Sequence, residues 1–253
     1  MLRYLCPAAV GAPDGRLVRV QHAQPASPDP RDHDWRIAPA EYASHEARRG
    51  RRYAYEELDP RRTALVVVEM VAFFVADDGY CRGIVRRIEQ LAQGLRAIGG
   101  TVVWVLPEAG ARPSQWAVGF YGAQMAAAYA RAGGDGPVEA RLWSGLRPRP
   151  GDLWAEKSAP SAFFPGRSPV PDLLAARGVD TVLIAGTVTG VCCESSARDA
   201  STLGYRVVLV ADATAGGTDE AHNASLRSVY RSFGDVRPTA DILRLLKTRP
   251  PIT

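Results

Sequence analysis

From Thr63 onward, short continuous apolar runs alternate with segments whose apolar residues recur every three or four positions. "TALVVVE" (63–69) and "TVVWVL" (101–106) are β-branched runs of the kind that forms strands buried on both faces. Between them, Ile84, Ile88, Leu91, Leu95 and Ile98 lie on one helical stripe that Gly99-Gly100 ends. Residues 114–132 read as one Ala-rich helix carrying Trp116, Met125 and Tyr129, stopped by Gly133-Gly134. "DLWAEK" (152–157) is a third strand, "VPDLLAARG" (170–178) a short helix and "VDTVLIAG" (179–186) a fourth strand. "CCESSARDASTLG" (192–204) reads as a helix on which Glu194 and Arg198 can pair at i,i+4. A fifth strand, "YRVVLVAD" (205–212), precedes a helix over roughly 219–232, a short sixth strand in "GDVRP" (234–238) and a last helix opening at Thr239.

Alternation of this kind predicts an α/β fold: three α/β/α layers around a mainly parallel, doubly wound sheet of about six strands. Residues 1–58 follow no such period and form an N-terminal extension to a domain over 59–253. In the extension, "GAPDGRLVRVQHA" predicts a hairpin turning at Asp14-Gly15, and "QPASPDPRDHDWRIAP" (24–39) an extended arm. "RRGRR" (48–52) reads as a solvated or subunit-facing loop.

Open parallel sheets bind ligands beyond the carboxyl ends of their strands. That rule singles out Glu69 at the end of the first strand, Lys157 at the end of the third, and Cys192 after the fourth. A cysteine at a helix start and near a lysine gains thiolate character, which makes it a nucleophile. A carboxylate beside it can take the thiol proton and hand it to a departing amine. Backbone N–H groups in the turn can hold the oxyanion. The three side chains together are equipped to hydrolyse an amide through an acyl-enzyme. Cys193 reads as a small buried neighbour, and His222 as packing on the helix after the fifth strand.

The same segments resemble the isochorismatase-like cysteine hydrolases, over roughly residues 59–248. "RTALVVVEMVAFF" resembles the first-strand motif that holds the family's catalytic carboxylate. "EKSAPSAFFPG" resembles the segment that holds its lysine, and "GTVTGVCCESSARDASTLGY" its nucleophile segment, where the cysteine stands three residues after a threonine. The resemblance makes Cys192 the nucleophile, with Glu69 and Lys157 as its partners. It also implies a cis peptide at Thr187–Val188 and an oxyanion hole formed by the N–H groups of Val188 and Cys192. Glu69 stands where the family usually has aspartate. "VAFF" replaces the usual Gln-Asn-Asp-Phe and makes the nearby wall more apolar. The nicotinamidase metal motif is missing from "LPEAGARPSQW", so no metal and no cofactor are expected. Phe74, Trp116 and Phe164 are candidate substrate contacts.

Charge and composition add limits. Hydrophobic residues make up 46% and charged residues 23%, as in ordinary globular proteins. A net charge of +4 with scattered arginines allows an anionic substrate and gives no nucleic-acid stripe. No run is long enough for a membrane helix, and four cysteines form no disulfide framework. The expectation is a cytoplasmic homodimer or homotetramer with a small-molecule substrate: a metal-independent cysteine amidohydrolase acting on a small amide, N-carbamoyl or ureido compound. The alternatives are isochorismatase-type vinyl-ether hydrolysis, whose enzymes lack the nucleophilic cysteine, and a non-catalytic binding protein on the same fold.

Overall fold

The computed structural model describes residues 28–247, so the hairpin expected at Asp14-Gly15 lies outside the described residues. Strands β1 (Thr63–Val68), β2 (Thr101–Pro107), β3 (Leu153–Lys157), β4 (Thr181–Thr187), β5 (Arg206–Ala215) and β6 (Asp235–Arg237) form one sheet in the order β3-β2-β1-β4-β5-β6. Every neighbouring pair is parallel. The winding therefore reverses between β1 and β4, and the carboxyl ends of these two strands are where such sheets place a ligand crevice.

The helices are α1 (Pro39–Arg49), α2 (Ala72–Val75), α3 (Gly79–Gly83), α4 (Val85–Arg96), α5 (Gln115–Tyr121), α6 (Ala123–Ala130), α7 (Val138–Arg141), α8 (Val170–Ala175), α9 (Glu194–Thr202), α10 (Asp219–Ser232) and α11 (Thr239–Lys247). Period-two side chains explain the two cores. Ala64, Val66 and Val68 of β1 meet Leu174 of α8, Ala197 of α9 and Leu226 and Val229 of α10 on one face. Leu65 and Val67 point to the other face, against Ile88, Leu91 and Leu95 of α4 and Ile242 and Leu246 of α11. Ile98 falls beyond the end of α4 and is exposed, so the expected stripe stops at Leu95.

Two expectations are corrected. The Ala-rich run is two helices, because Gly122 adopts φ 80° and ψ 155° between α5 and α6, a conformation closed to other residues. The arginine cluster is not simply a loop, since Arg48 and Arg49 form the last turn of α1 before the left-handed Gly50. The chain then folds onto the sheet edge. The Asp235 carboxylate of β6 accepts from the N–H groups of Ala54 and Tyr55, and the Tyr230 hydroxyl donates to the Arg52 carbonyl at 2.5 Å.

Close approach of β4 to β1 depends on one glycine. Gly186 has φ 109°, and a Cβ there would stand 2.1 Å from the Val68 carbonyl oxygen. Gly186→Ala is therefore expected to cost about 3 kcal/mol, seen as a fall in Tm of roughly 6–12 °C. A thermal melt indistinguishable from the parent would show that the strand ends have slack.

Candidate active site

β1 delivers Glu69 to the crevice with an unusual backbone. Its φ of 52° is the sole positive value among the described non-glycine residues. Such a conformation costs of order 1–3 kcal/mol in a long side chain and is held here by its neighbours. The Glu69 N–H donates to the Val105 carbonyl at 2.7 Å, and its own carbonyl accepts from the Thr187 hydroxyl at 3.1 Å. Lys157 ends β3, two strands away, a span of roughly 9–10 Å that its side chain and that of Glu69 cover together. Its ammonium donates to Glu69 Oε1 at 2.5 Å and to the Ala159 carbonyl at 2.9 Å.

β4 delivers the cysteine. The Thr187–Val188 peptide is cis, as the resemblance implied. The next residues, Thr189–Cys193, wind as one π-helical turn before α9 begins at Glu194. Wide turns of this kind are frequent at functional sites. Cys192 is 7% exposed and Cys193 is fully buried. Ser196, one turn along, donates to the Cys192 carbonyl at 2.6 Å and accepts from the Ala162 N–H at 2.9 Å. It thereby ties the nucleophile turn to the segment that follows Lys157.

Glu69, Lys157 and Cys192 thus meet in one buried cluster. Electrostatics there differ from the sequence expectation of an activated thiol. Burial pushes the Cys192 thiol up from its ordinary value, and the Glu69 carboxylate adds to this. The Lys157 charge and a hydrogen bond from the Val188 backbone oppose it and are outweighed. Burial alone would lower Lys157, yet Glu69 and Cys192 hold its ammonium above the ordinary range. The resting site is consequently a thiol beside an ion pair. One carboxylate oxygen, Glu69 Oε2, is buried with no hydrogen-bond partner among the described residues.

The aromatic candidates are placed less centrally. Phe74 is half-buried against Phe73, and Phe164 is exposed while its neighbour Phe163 fills the core. Trp116 is 66% exposed on α5, stacked on Phe120 and linked through Tyr121 to Tyr129. Tyr129 itself lies within electrostatic reach of Cys192 and contacts Phe73. Tyr129 and Phe73 therefore join the candidate wall. Only the apolar "VAFF" departure signalled that wall in the sequence. His222 is buried, and its Nδ1 is hydrogen-bonded to the Thr189 hydroxyl at 2.9 Å on the turn that carries Cys192. Among the described residues, no group of three or more His, Cys, Asp or Glu side chains could hold a metal ion.

Comparison with known proteins agrees with this architecture. Residues 63–241 match the isochorismatase domain. A ureidoacrylate amidohydrolase, RutB, of Agrobacterium fabrum is 29% identical over 218 residues, 78% of this chain and 95% of that one. A cysteine hydrolase from Pseudomonas syringae pv. phaseolicola superposes with a TM-score of 0.64 at 26% identity, covering 78% of this chain and 97% of the other. The N-carbamoylsarcosine amidase of Thermoplasma acidophilum gives a TM-score of 0.55 at 25% identity, covering 70% and 96%. The domain match takes in Glu69, Lys157 and the turn that carries Cys192 alike, and on that ground the chain belongs to the isochorismatase family.

Proposed function

We propose that this protein is a cysteine amidohydrolase that cleaves a small amide, N-carbamoyl or ureido compound through a thioester on Cys192. The observation that carries the reading is the buried Glu69–Lys157 ion pair, whose carboxylate lies against the buried Cys192 thiol. A thiol that stays protonated at rest needs a base at the moment of attack, and the Glu69 carboxylate within hydrogen-bond reach of it can serve. Relatives that act on ureidoacrylate and N-carbamoylsarcosine support the substrate class.

The reaction runs in two halves. The Cys192 proton passes to Glu69 as the sulfur attacks the carbonyl carbon, and the N–H groups of Val188 and Cys192 hold the oxyanion. Collapse breaks the C–N bond, and the departing nitrogen takes the proton from Glu69. Water then gives a proton to the same carboxylate and attacks the thioester. The thiolate leaves and is reprotonated, releasing an acid, or a carbamate that decomposes to carbon dioxide and an amine. Lys157 keeps Glu69 in place and screens the passing negative charge. No step in this scheme requires a metal. A cytoplasmic homo-oligomer belongs to the same reading, supported by the free thiols of Cys81, Cys192 and Cys193 and by the exposed aromatic rings of α5.

Vinyl-ether hydrolysis has no use for the Cys192 thiol, and the amide reading fits the site better. The test is a panel of primary amides, N-carbamoyl amino acids and ureido acids, assayed for ammonia release, with rapid-quench mass spectrometry of the Cys192 peptide. An acyl or carbamoyl adduct on Cys192 is expected. Turnover without an adduct, or no turnover across the panel, would oppose the reading. Since the thiol is held above its ordinary value, its alkylation by iodoacetamide should be slow at pH 7 and climb about tenfold per pH unit to pH 9. A plateau below pH 8 would indicate a resting thiolate.

A further inference from the structure

The N-terminal arm reaches the catalytic end of the sheet, although it precedes the residues that match the family. It is seated on two glycines of α3. A Cβ at Gly79 would stand 2.7 Å from the Asp29 carbonyl oxygen, and one at Gly83 would stand 2.1 Å from that of Arg31. The Arg31 N–H donates to the Gly79 carbonyl at 3.0 Å, and its guanidinium lies 4.0 Å over the Tyr80 ring. This seating inserts His33 between two rings. It stacks on Tyr80 at 3.7 Å and on His222 at 4.1 Å, within 9° and 7° of parallel.

His33 also makes two directed bonds. The Gly216 N–H donates to its Nε2 at 3.3 Å, so the ring proton sits on Nδ1, which donates to Asp219 at 2.6 Å. The Gly216 bond and the stack on His222 each lead to the turn that carries Cys192. Gly216 lies so close to Val188 that a Cβ there would meet Val188 Cγ1 at 2.7 Å. His222, under the His33 ring, hydrogen-bonds Thr189, the second residue after the cis peptide. Its Nε2 makes no hydrogen bond among the described residues, so the Nδ1–Thr189 bond is the directed contact through which the ring holds the turn.

We propose that residues 29–37 act as a strap whose His33 fixes His222 and Gly216, and through them the positions of Thr189 and Val188 at the base of the nucleophile turn. His33 and His222 are positioning residues in this arrangement. Their hydrogen bonds and ring contacts run to Asp219, Gly216, Tyr80 and Thr189 and to each other, not to Glu69. What they set is the direction in which the Cys192 sulfur and the Val188 N–H point, to which a covalent reaction is sensitive at the level of an ångström. The reading rests on Cys192 as the nucleophile only for its kinetic arm, because the reactivity of the thiol can be followed with no substrate.

Five variants test it: His222→Ala, His222→Asn, Thr189→Val, the double variant His222→Ala/Thr189→Val, and Gly83→Ala. The readouts are kcat and KM on a working amide, and the rate at which iodoacetamide alkylates Cys192 at one fixed pH. His222→Ala is expected to lower kcat by at least about tenfold with KM nearly unchanged, and to alter the alkylation rate. Asparagine offers an oxygen where Nδ1 stood and should restore most of the loss. The double variant should be no worse than His222→Ala, because both changes break the same bond. Gly83→Ala displaces the arm from the other side of His33 and should reproduce the kinetic defect, which keeps the test alive if His222→Ala does not fold. Additive losses in the double variant, or parental kcat and alkylation in Gly83→Ala, would overturn the strap. Should no amide be turned over by the parent, the alkylation rates still decide, and only the catalytic reading fails.

Discussion

Replacing Cys192 with alanine is expected to abolish turnover, by about 10⁴-fold or more, while leaving the fold intact. The side chain is 7% exposed and touches the Glu69–Lys157 pair, so alanine removes the attacking atom and little packing. Cys192→Ser should be nearly as inactive, because a hydroxyl is harder to deprotonate than a thiol and Glu69 would have to work as a stronger base. The adjacent Cys193→Ala gives the contrast. Cys193 is fully buried in the core on the α9 side, so its loss should cost about 1–2 kcal/mol of stability and leave kcat within a few fold. Steady-state kinetics with thermal melts on the three proteins separate the roles. An active Cys192→Ala enzyme alongside a dead Cys193→Ala would reverse the assignment of the two thiols.

Much of this site was legible because parallel α/β sheets write their function at strand ends. The Val-rich runs located the strands within one to three residues, and the residues at or just after the ends of β1, β3 and β4 were then the candidates. The resemblance, through the spacing from Thr189, points to Cys192 rather than Cys193. Three features were not legible, each for a physical reason. Helix α1 turns Tyr42 and His45 inward rather than aliphatic side chains, so its stripe is faint, even though Pro39, Glu41 and Gly50 are ordinary start and stop signals. The state of the thiol depends on burial, which the sequence does not display. A lysine and a helix start argued for thiolate, yet desolvation and a carboxylate at close range reversed the sign. The stack of Tyr80, His33 and His222 joins three distant stretches of chain, and no local pattern announces it.

Glu69 is where the chemistry and the stability of the site can be told apart. Glu69→Gln keeps the shape and removes the proton acceptor, so kcat/KM should fall by at least about 10²-fold. The same change leaves the Lys157 ammonium, 2% exposed, without its partner at 2.5 Å. An orphaned buried charge costs about 3–5 kcal/mol, so a dead Glu69→Gln enzyme could be dead through misfolding. Lys157→Met combined with Glu69→Gln removes both charges, and stability should then return close to the parent. Activity should not return, because neither the base nor its holder is present. Recovery of Tm without recovery of turnover is the expected signature. Glu69→Asp completes the set. Aspartate tolerates the left-handed backbone of this position, where φ is 52°, better than glutamate does. It withdraws the carboxylate by roughly 1.5 Å, a shift large enough to matter to proton transfer and small enough for Lys157 to follow. Activity within about tenfold of the parent is expected, with the pair intact by thermal melt. A Glu69→Gln protein that folds and turns over amides at the parental rate would remove Glu69 from the mechanism and leave the protonated thiol of Cys192 with no base to activate it.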